Sequence, residues 1–213
     1  MLTVIAAAAT LMAPAPQLAL FEGQQPAPSN AGTHSSHPRW RAAIHVGHSK
    51  QQGSSNLSGV DPSNVLGVDD ESGSWGVTLN YFFSPDWALE LGYVDLGEGS
   101  ATLKGSTENY HQAVSQATPV LGEGVTFGIQ YRLWHTKAIS LELDGGAIAW
   151  QSDLSSHFNG VTIKHEDDGV DPYASIAAHY QLGDGFAAHI GYARYFLKPN
   201  DVDNFRIGFS LAF

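Results

Sequence analysis

Residues 75–94 read WGVTLNYFFSPDWALELGYV, a stretch that alternates on both sides of a single turn. Trp75, Val77, Leu79, Tyr81 and Phe83 fall on one face of an extended chain, and Gly76, Thr78, Asn80 and Phe82 fall on the other. Successive side chains of a strand point to opposite faces, so this period of two marks a strand with two different surroundings. Ser84-Pro85-Asp86 supplies the turn. Trp87, Leu89, Leu91 and Tyr93 then continue the apolar face against Ala88, Glu90, Gly92 and Val94. Pairing Phe83 with Trp87 sets Tyr81 opposite Leu89, Leu79 opposite Leu91 and Val77 opposite Tyr93. A slip of one residue would turn every large apolar side chain to the wrong face, so the pattern itself specifies the register.

The same period runs outward in both directions. Eight segments show it, at 39–48, 74–83, 87–96, 123–134, 138–150, 172–182, 186–197 and 203–213, and none shows a helical period. The last is the cleanest, with Phe205, Ile207, Phe209, Leu211 and Phe213 against Arg206, Gly208, Ser210 and Ala212. The fourth sets Val125, Phe127, Ile129, Tyr131 and Leu133 against Thr126, Gly128, Gln130 and Arg132. The fifth sets Ile139, Leu141 and Leu143 against Ser140, Glu142 and Asp144; its Gly145-Gly146 pair suggests a bulge, which leaves the face of Ile148 and Trp150 open.

Connection lengths alternate too. Residues 84–86, 135–137 and 183–185 are short turns, 49–73, 97–122 and 151–171 are long, and a shorter loop lies near 198–202. Strands of about 9–11 residues suffice to cross a bilayer when tilted, and membrane barrels put short turns on the periplasmic side and long loops outside. The predicted fold is all-β: an eight-stranded antiparallel transmembrane β-barrel with up-and-down topology. A soluble lipocalin-like barrel is the rival, but inverting the faces would crowd Arg, Glu, Asp, Gln and His into its core, at a heavy desolvation cost. Aromatic residues collect where strands meet turns. Trp40, Phe83, Trp87, Trp134, Phe186 and Phe213 are expected at the short-turn rim, and Trp75, Tyr93, Tyr173 and Phe205 at the other.

Composition agrees with this reading. In 213 residues, charged side chains make up only 15% while aromatics reach 11% with 23 glycines, a balance that suits a barrel wall better than a cytosolic enzyme. A net charge of -11 argues against nucleic acid as a partner, because phosphate binding needs clustered Lys and Arg. The absence of cysteine removes thiolate metal sites, disulfides and cysteine nucleophiles. Residues 1–20, MLTVIAAAATLMAPAPQLAL, have the apolar run and small-residue end of a signal peptide, without its basic start. Residues 21–38 are expected to be a disordered lead-in, and 39–213 the barrel.

Three stretches carry a family resemblance: WALELGYVDLG at 87–97, LELDGGAIAW at 141–150 and NFRIGFSLAF at 204–213. They resemble the OmpA-like family of small eight-stranded outer-membrane β-barrels, barrel domain only, over about 39–213. The tail Arg206-x-Gly208-x-x-Leu211-x-Phe213 resembles the C-terminal signal read by the barrel-assembly machinery. The resemblance implies a place in the outer membrane of a Gram-negative-type envelope, contact with outer-membrane lipid and lipopolysaccharide, and the assembly machinery as a partner. No peptidoglycan-binding domain is expected. Some family members carry a charged interior gate, and Glu90, Glu142 and Arg206 match inward positions of it. Gly191 stands where those members have a carboxylate, so the match is partial.

The turn at 135–137 places Arg132 opposite Glu142 and Gln130 opposite Asp144, both pairs facing inward. Glu90 is expected at a similar height, which gives a Glu90–Arg132–Glu142 cluster, since one Arg fork can satisfy two carboxylates. Such a cluster reads first as an interior plug and second as a switchable gate; paired carboxylates for glycoside chemistry come third. Of the ten histidines, His179 and His189 are expected to face each other inward, His45 to point inward and His48 outward. Two imidazoles alone are not a zinc site. His157 after Ser155 and Ser156 is no triad, which needs geometry rather than adjacency. Asp69-Asp70-Glu71 and His165-Glu166-Asp167-Asp168 read as solvated charges of external loops, with divalent cations as the other reading. The functional expectation is a structural or interaction barrel with weak small-solute or ion pore activity. The alternatives are a narrow channel and, behind it, a lipid-modifying enzyme, which would need an apolar pocket that residues 130, 132, 142, 144 and 206 oppose. No catalytic residue, cofactor or metal is expected, and the sequence names no external loop ligand.

Overall fold

The computed structural model describes residues 39–52, 65–103, 121–158, 161–198 and 200–213. The signal peptide expected at 1–20 and the lead-in at 21–38 lie outside them. Within them the chain forms strands β1 (Trp40–Gln51), β2 (Val65–Asp69), β3 (Glu71–Phe82), β4 (Trp87–Asp95), β5 (Ser100–Leu103), β6 (Glu123–His135), β7 (Ile139–Phe158), β8 (Val161–Gln181), β9 (Phe186–Tyr195) and β10 (Val202–Ala212). Eight of these close into an antiparallel barrel in the order β1-β10-β9-β8-β7-β6-β4-β3, while β2 and β5 pair only with each other. Each expected segment is a barrel strand. The hairpin register is the one the apolar face demanded, with Tyr81 opposite Leu89, Leu79 opposite Leu91 and Val77 opposite Tyr93. At the seam, Trp40 and Phe213 exchange backbone hydrogen bonds of 3.1 and 2.8 Å. Closure of this kind leaves no open edge, the condition for a sheet to sit in hydrocarbon.

The outer wall is a continuous apolar surface. Phe127 is 60% exposed, Ile190 67% and Ile207 62%, values that a water-facing wall would not sustain over eight strands. Trp40, Phe83, Trp87, Trp134, Phe186 and Phe213 stand exposed at the short-turn rim, and Trp75 and Phe205 toward the other.

Three local features differ from the sequence reading. The Gly145-Gly146 pair makes no bulge: the β6–β7 register runs through it and shifts instead between Arg132 and Trp134. Gly146 answers to lateral packing, because a Cβ there would lie 2.5 Å from the Cα of Gly128. Ile148 and Trp150 therefore keep the inward face of Asp144 and are buried. Tyr173, expected at the outer rim, also faces inward and is buried, since β8 turns Asp171, Tyr173, Ser175, Ala177 and His179 to one side. Finally, the long loop expected over 151–171 is mostly strand. β6 last pairs with β7 at Gln151 and β9 last pairs with β8 at Tyr173, yet β7 and β8 stay paired out to Phe158 and Val161. The two strands leave the wall together as a ribbon.

Candidate functional site

The barrel interior divides into two halves along its axis. The short-turn half is charged, and it centres on Glu142, whose side chain is fully buried. Arg41 of β1 donates to both its oxygens, at 3.1 and 2.7 Å, and also to Gln130 at 2.6 Å. Arg132 Nε donates to it at 3.3 Å, Ser140 at 3.2 Å, and His179 Nε2 lies 3.2 Å away. The guanidiniums of Arg41 and Arg132 each lie 5.1 Å from the ring centroid of Phe82, a cation–π arrangement that floors the lumen. Arg132 also donates to the Pro85 carbonyl at 2.8 Å, which ties the floor to the first turn.

Glu90 is not part of this group. It lies opposite Gly128, whereas Arg132 stands past the end of β4, where its backbone N–H meets the Asp86 carbonyl. Glu90 instead accepts hydrogen bonds from Asn80 at 3.1 Å and from the Tyr173 hydroxyl at 2.8 Å. The expected Glu90–Arg132–Glu142 cluster is thus replaced by Arg41–Glu142–Arg132. Asp144 and Arg206 meet through Ser175, which donates to Asp144 at 2.6 Å and accepts from Arg206 at 3.0 Å. Gly191, the cross-strand partner of Arg206, gives that side chain room: a Cβ there would lie 3.2 Å from Arg206 Nε.

Arg41 was signalled in the sequence, because Trp40, Ala42, Ile44 and Val46 alternate outward and leave Arg41, Ala43 and His45 facing in. His179 and His189 are cross-strand partners with stacked rings 5.0 Å apart, and His45 joins them from β1. Among the described residues no three His, Asp or Glu side chains converge as metal ligands. The side chains of Ser155, Ser156, His157 and His165 lie outside the described set. The space left between Arg41, His45, Glu90, Asp144, His179, His189 and Arg206 is about 20 Å³, room for about one water.

The other half of the interior is mainly apolar, with a buried polar patch on the β1–β3–β10 side where Asn204 donates to Ser49 at 2.9 Å and to Ser74 at 2.6 Å. Val94, Leu96, Leu121, Ile148, Trp150, Leu197 and Val202 pack with Tyr173 and Tyr195 into one buried cluster. The two tyrosine rings stack at 5.9 Å, and Trp150 Nε1 donates to Asp171 at 2.9 Å. Tyr173 bridges the halves, with its ring in the apolar cluster and its hydroxyl on Glu90.

Polar ties surround the rim beyond. Asp203 accepts from Arg194 at 2.6 and 2.8 Å, from Tyr192 at 2.6 Å and from Gln52 at 2.8 Å. Outward-facing Tyr93 donates to Glu123, which also accepts from Gln151 at 2.7 Å. His48 faces out and meets Glu71 at 3.2 Å, and Lys50 donates to Glu71 at 2.5 Å. The hydrogen bond from Lys50, then that from His48, holds the Glu71 carboxyl below its ordinary range, and Glu71 raises Lys50 in return. In the tail, Arg206 and Gly208 lie on the inward face and Leu211 and Phe213 are exposed on the wall.

A family profile described as the outer membrane protein beta-barrel domain matches residues 5–213. No curated protein matches the chain. The crystal structure of Neisserial surface protein A resembles it with a TM-score of 0.50 at 10% identity, over 82% of this chain and 97% of that one. The N-terminal β-barrel domain of Pseudomonas aeruginosa OprF gives 0.48 at 11% identity, over 83% and 99%. The attachment invasion locus protein Ail of Yersinia pestis gives 0.46 at 16%, over 81% and 98%.

Proposed function

The chain belongs to the outer membrane protein beta-barrel domain family and is a protein of the Gram-negative outer membrane, and from that premise we propose that it works as a closed structural and interaction barrel rather than an open pore. The filled lumen carries this reading. The charged half leaves about 20 Å³ between its side chains, and the apolar half is packed by its own residues. Water crosses a barrel through a continuous polar channel; here nine buried apolar residues and Ala193 fill most of its path, and the polar Ser49, Ser74 and Asn204 beside them are buried and hydrogen-bonded to one another. The same packing disfavours an acyl-chain enzyme. An apolar compartment exists inside the barrel, contrary to the expectation from residues 130, 132, 142, 144 and 206, but Ile148, Trp150, Tyr173 and Tyr195 occupy it.

In this reading the wall meets outer-membrane lipid and lipopolysaccharide, and the short turns face the periplasm. The β7–β8 ribbon supplies the surface for external partners. Arg206, Gly208, Leu211 and Phe213 form the tail that the barrel-assembly machinery reads. The deciding experiment is planar-bilayer recording of the refolded full chain at about pH 7. Insertions are expected to give no steady conductance; a steady open level in most insertions would overturn the proposal.

A further inference from the structure

Three histidines from three strands meet in the charged half of the lumen. His45 on β1, His179 on β8 and His189 on β9 are each more than nine-tenths buried. His189 stands between the other two, stacked on His179 at 5.0 Å and edge-on to His45 at 6.2 Å. The wall is cut back to admit them. Gly76 and Gly208 are the cross-strand neighbours of His45. A Cβ on Gly76 would lie 2.5 Å from His45 Nε2, and one on Gly208 would lie 2.7 Å from His189 Cε1. One nitrogen of each ring has no protein partner: Nε2 of His45 and Nδ1 of His179 and His189. All three rings line the same small cavity.

The formal charges of the other side chains facing this group balance without it. Arg41 on β1, Arg132 on β6 and Arg206 on β10 oppose Glu90 on β4 and Glu142 and Asp144 on β7. β8 adds the Tyr173 hydroxyl, and β3 contributes only the neutral Thr78 and Asn80. β9 contributes no ionisable side chain to the cavity lining other than His189. An imidazole takes up a proton as its surroundings turn acid. Each proton gained here adds a positive charge to a balanced set, in a space with room for about one water. Glu142, 3.2 Å from His179, can meet one of them. The remaining rings face each other and Arg206 across the cavity, and repulsion between such charges is strong where water is scarce.

We propose that His45, His179 and His189 form an acid-operated latch: protonation drives the charged half of the lumen apart and lets ions leak through a barrel that is shut at neutral pH. The latch rests on the closed-barrel reading above. Tyr173 couples it to the apolar half, because displacing Glu90 pulls on a hydroxyl whose ring is packed there.

The test is bilayer recording of the refolded full chain at about pH 7 and about pH 4.5. The wild type is expected to be quiet at the first and to gain at least about tenfold in open time at the second. A His45→Gln/His179→Gln/His189→Gln variant is expected to stay quiet at both. That variant keeps every carboxylate, so an acid response that survives in it belongs to Glu90, Glu142 or Asp144 and overturns the latch. A wild type silent in acid overturns it as well, while leaving the closed-barrel reading intact; steady conductance at neutral pH would sink that reading first. Should the triple variant fail to fold, His189→Gln alone, which removes the ring between the other two, is expected to shift the response to lower pH. An unshifted response would count against the latch.

Discussion

Toward the short turns the lumen is held by ion pairs around Glu142; toward the long connections it is held by packed apolar side chains around Ile148 and Trp150. Both halves hang from the same strands, with β7 carrying Glu142 and Asp144 at one level and Ile148 and Trp150 at the next. The charged half depends on every partner being present, because a buried charge left alone is costly. The apolar half depends on volume, and loses stability in proportion to the space opened. One alternating strand can therefore host two kinds of cohesion, and substitutions separate them.

The largest effect is expected from Arg41→Ala. It leaves buried Glu142 with Arg132 at 3.3 Å as its one remaining arginine, beside Ser140 and His179, and should cost about 3–5 kcal/mol in urea unfolding of the protein refolded into vesicles. Replacing Arg41, Arg132 and Glu142 together with neutral side chains should cost less than the single change; an equal or larger cost would show that the pairing is not what matters. Ile148→Ala, in the other half, should cost about 2–5 kcal/mol by the same measurement. Its cost should not move with salt or pH, and a salt-dependent cost would erase the distinction between the halves. Tyr173→Phe removes only the hydroxyl on Glu90 and is expected to cost about 1.5–3 kcal/mol, the range for hydrogen bonds to charged groups. A near-zero cost would mean that the halves are not coupled there.

The smallest effect lies outside both halves, at Lys50–Glu71. Glu71 titrates below its ordinary value, so its contribution is complete above the ordinary carboxylate range and is lost as pH falls through the lowered value. Lys50 titrates above its ordinary value, so its share is complete below that value and is lost as pH rises through the raised one. The difference in melting temperature between wild type and Glu71→Gln should be slight at neutral pH, because both groups are exposed, and should vanish in acid and in high salt. A difference that grew in acid would contradict the direction of the Glu71 shift.

The wall was legible because lipid and lumen demand opposite residues. Val77, Leu79 and Tyr81 could be paired with Tyr93, Leu91 and Leu89 from the alternation and a short turn. The same logic placed Arg132 opposite Glu142 and Gln130 opposite Asp144, across another short turn. It failed for Glu90 and Arg132, because β4 and β6 are joined through the long connection 97–122, whose length sets no register. It failed again at Trp150 and Tyr173. Where the interior is as apolar as the bilayer, alternation loses its contrast, and a buried tyrosine reads like a girdle one. The tie of Tyr173 to Glu90 spans 83 positions, a separation no local pattern encodes.

The β7–β8 ribbon has a mechanical consequence. Its strands continue without a break into the wall, where β7 stays paired with β6 from Gln151 inward and β8 with β9 from Tyr173 inward. A partner that tugs on the far end of the ribbon therefore loads those two ladders in shear, along their length. The hydrogen bonds of each ladder then share the load together instead of opening one at a time like a zipper, and the ribbon becomes a tow-bar fixed to the wall rather than a tether on a hinge.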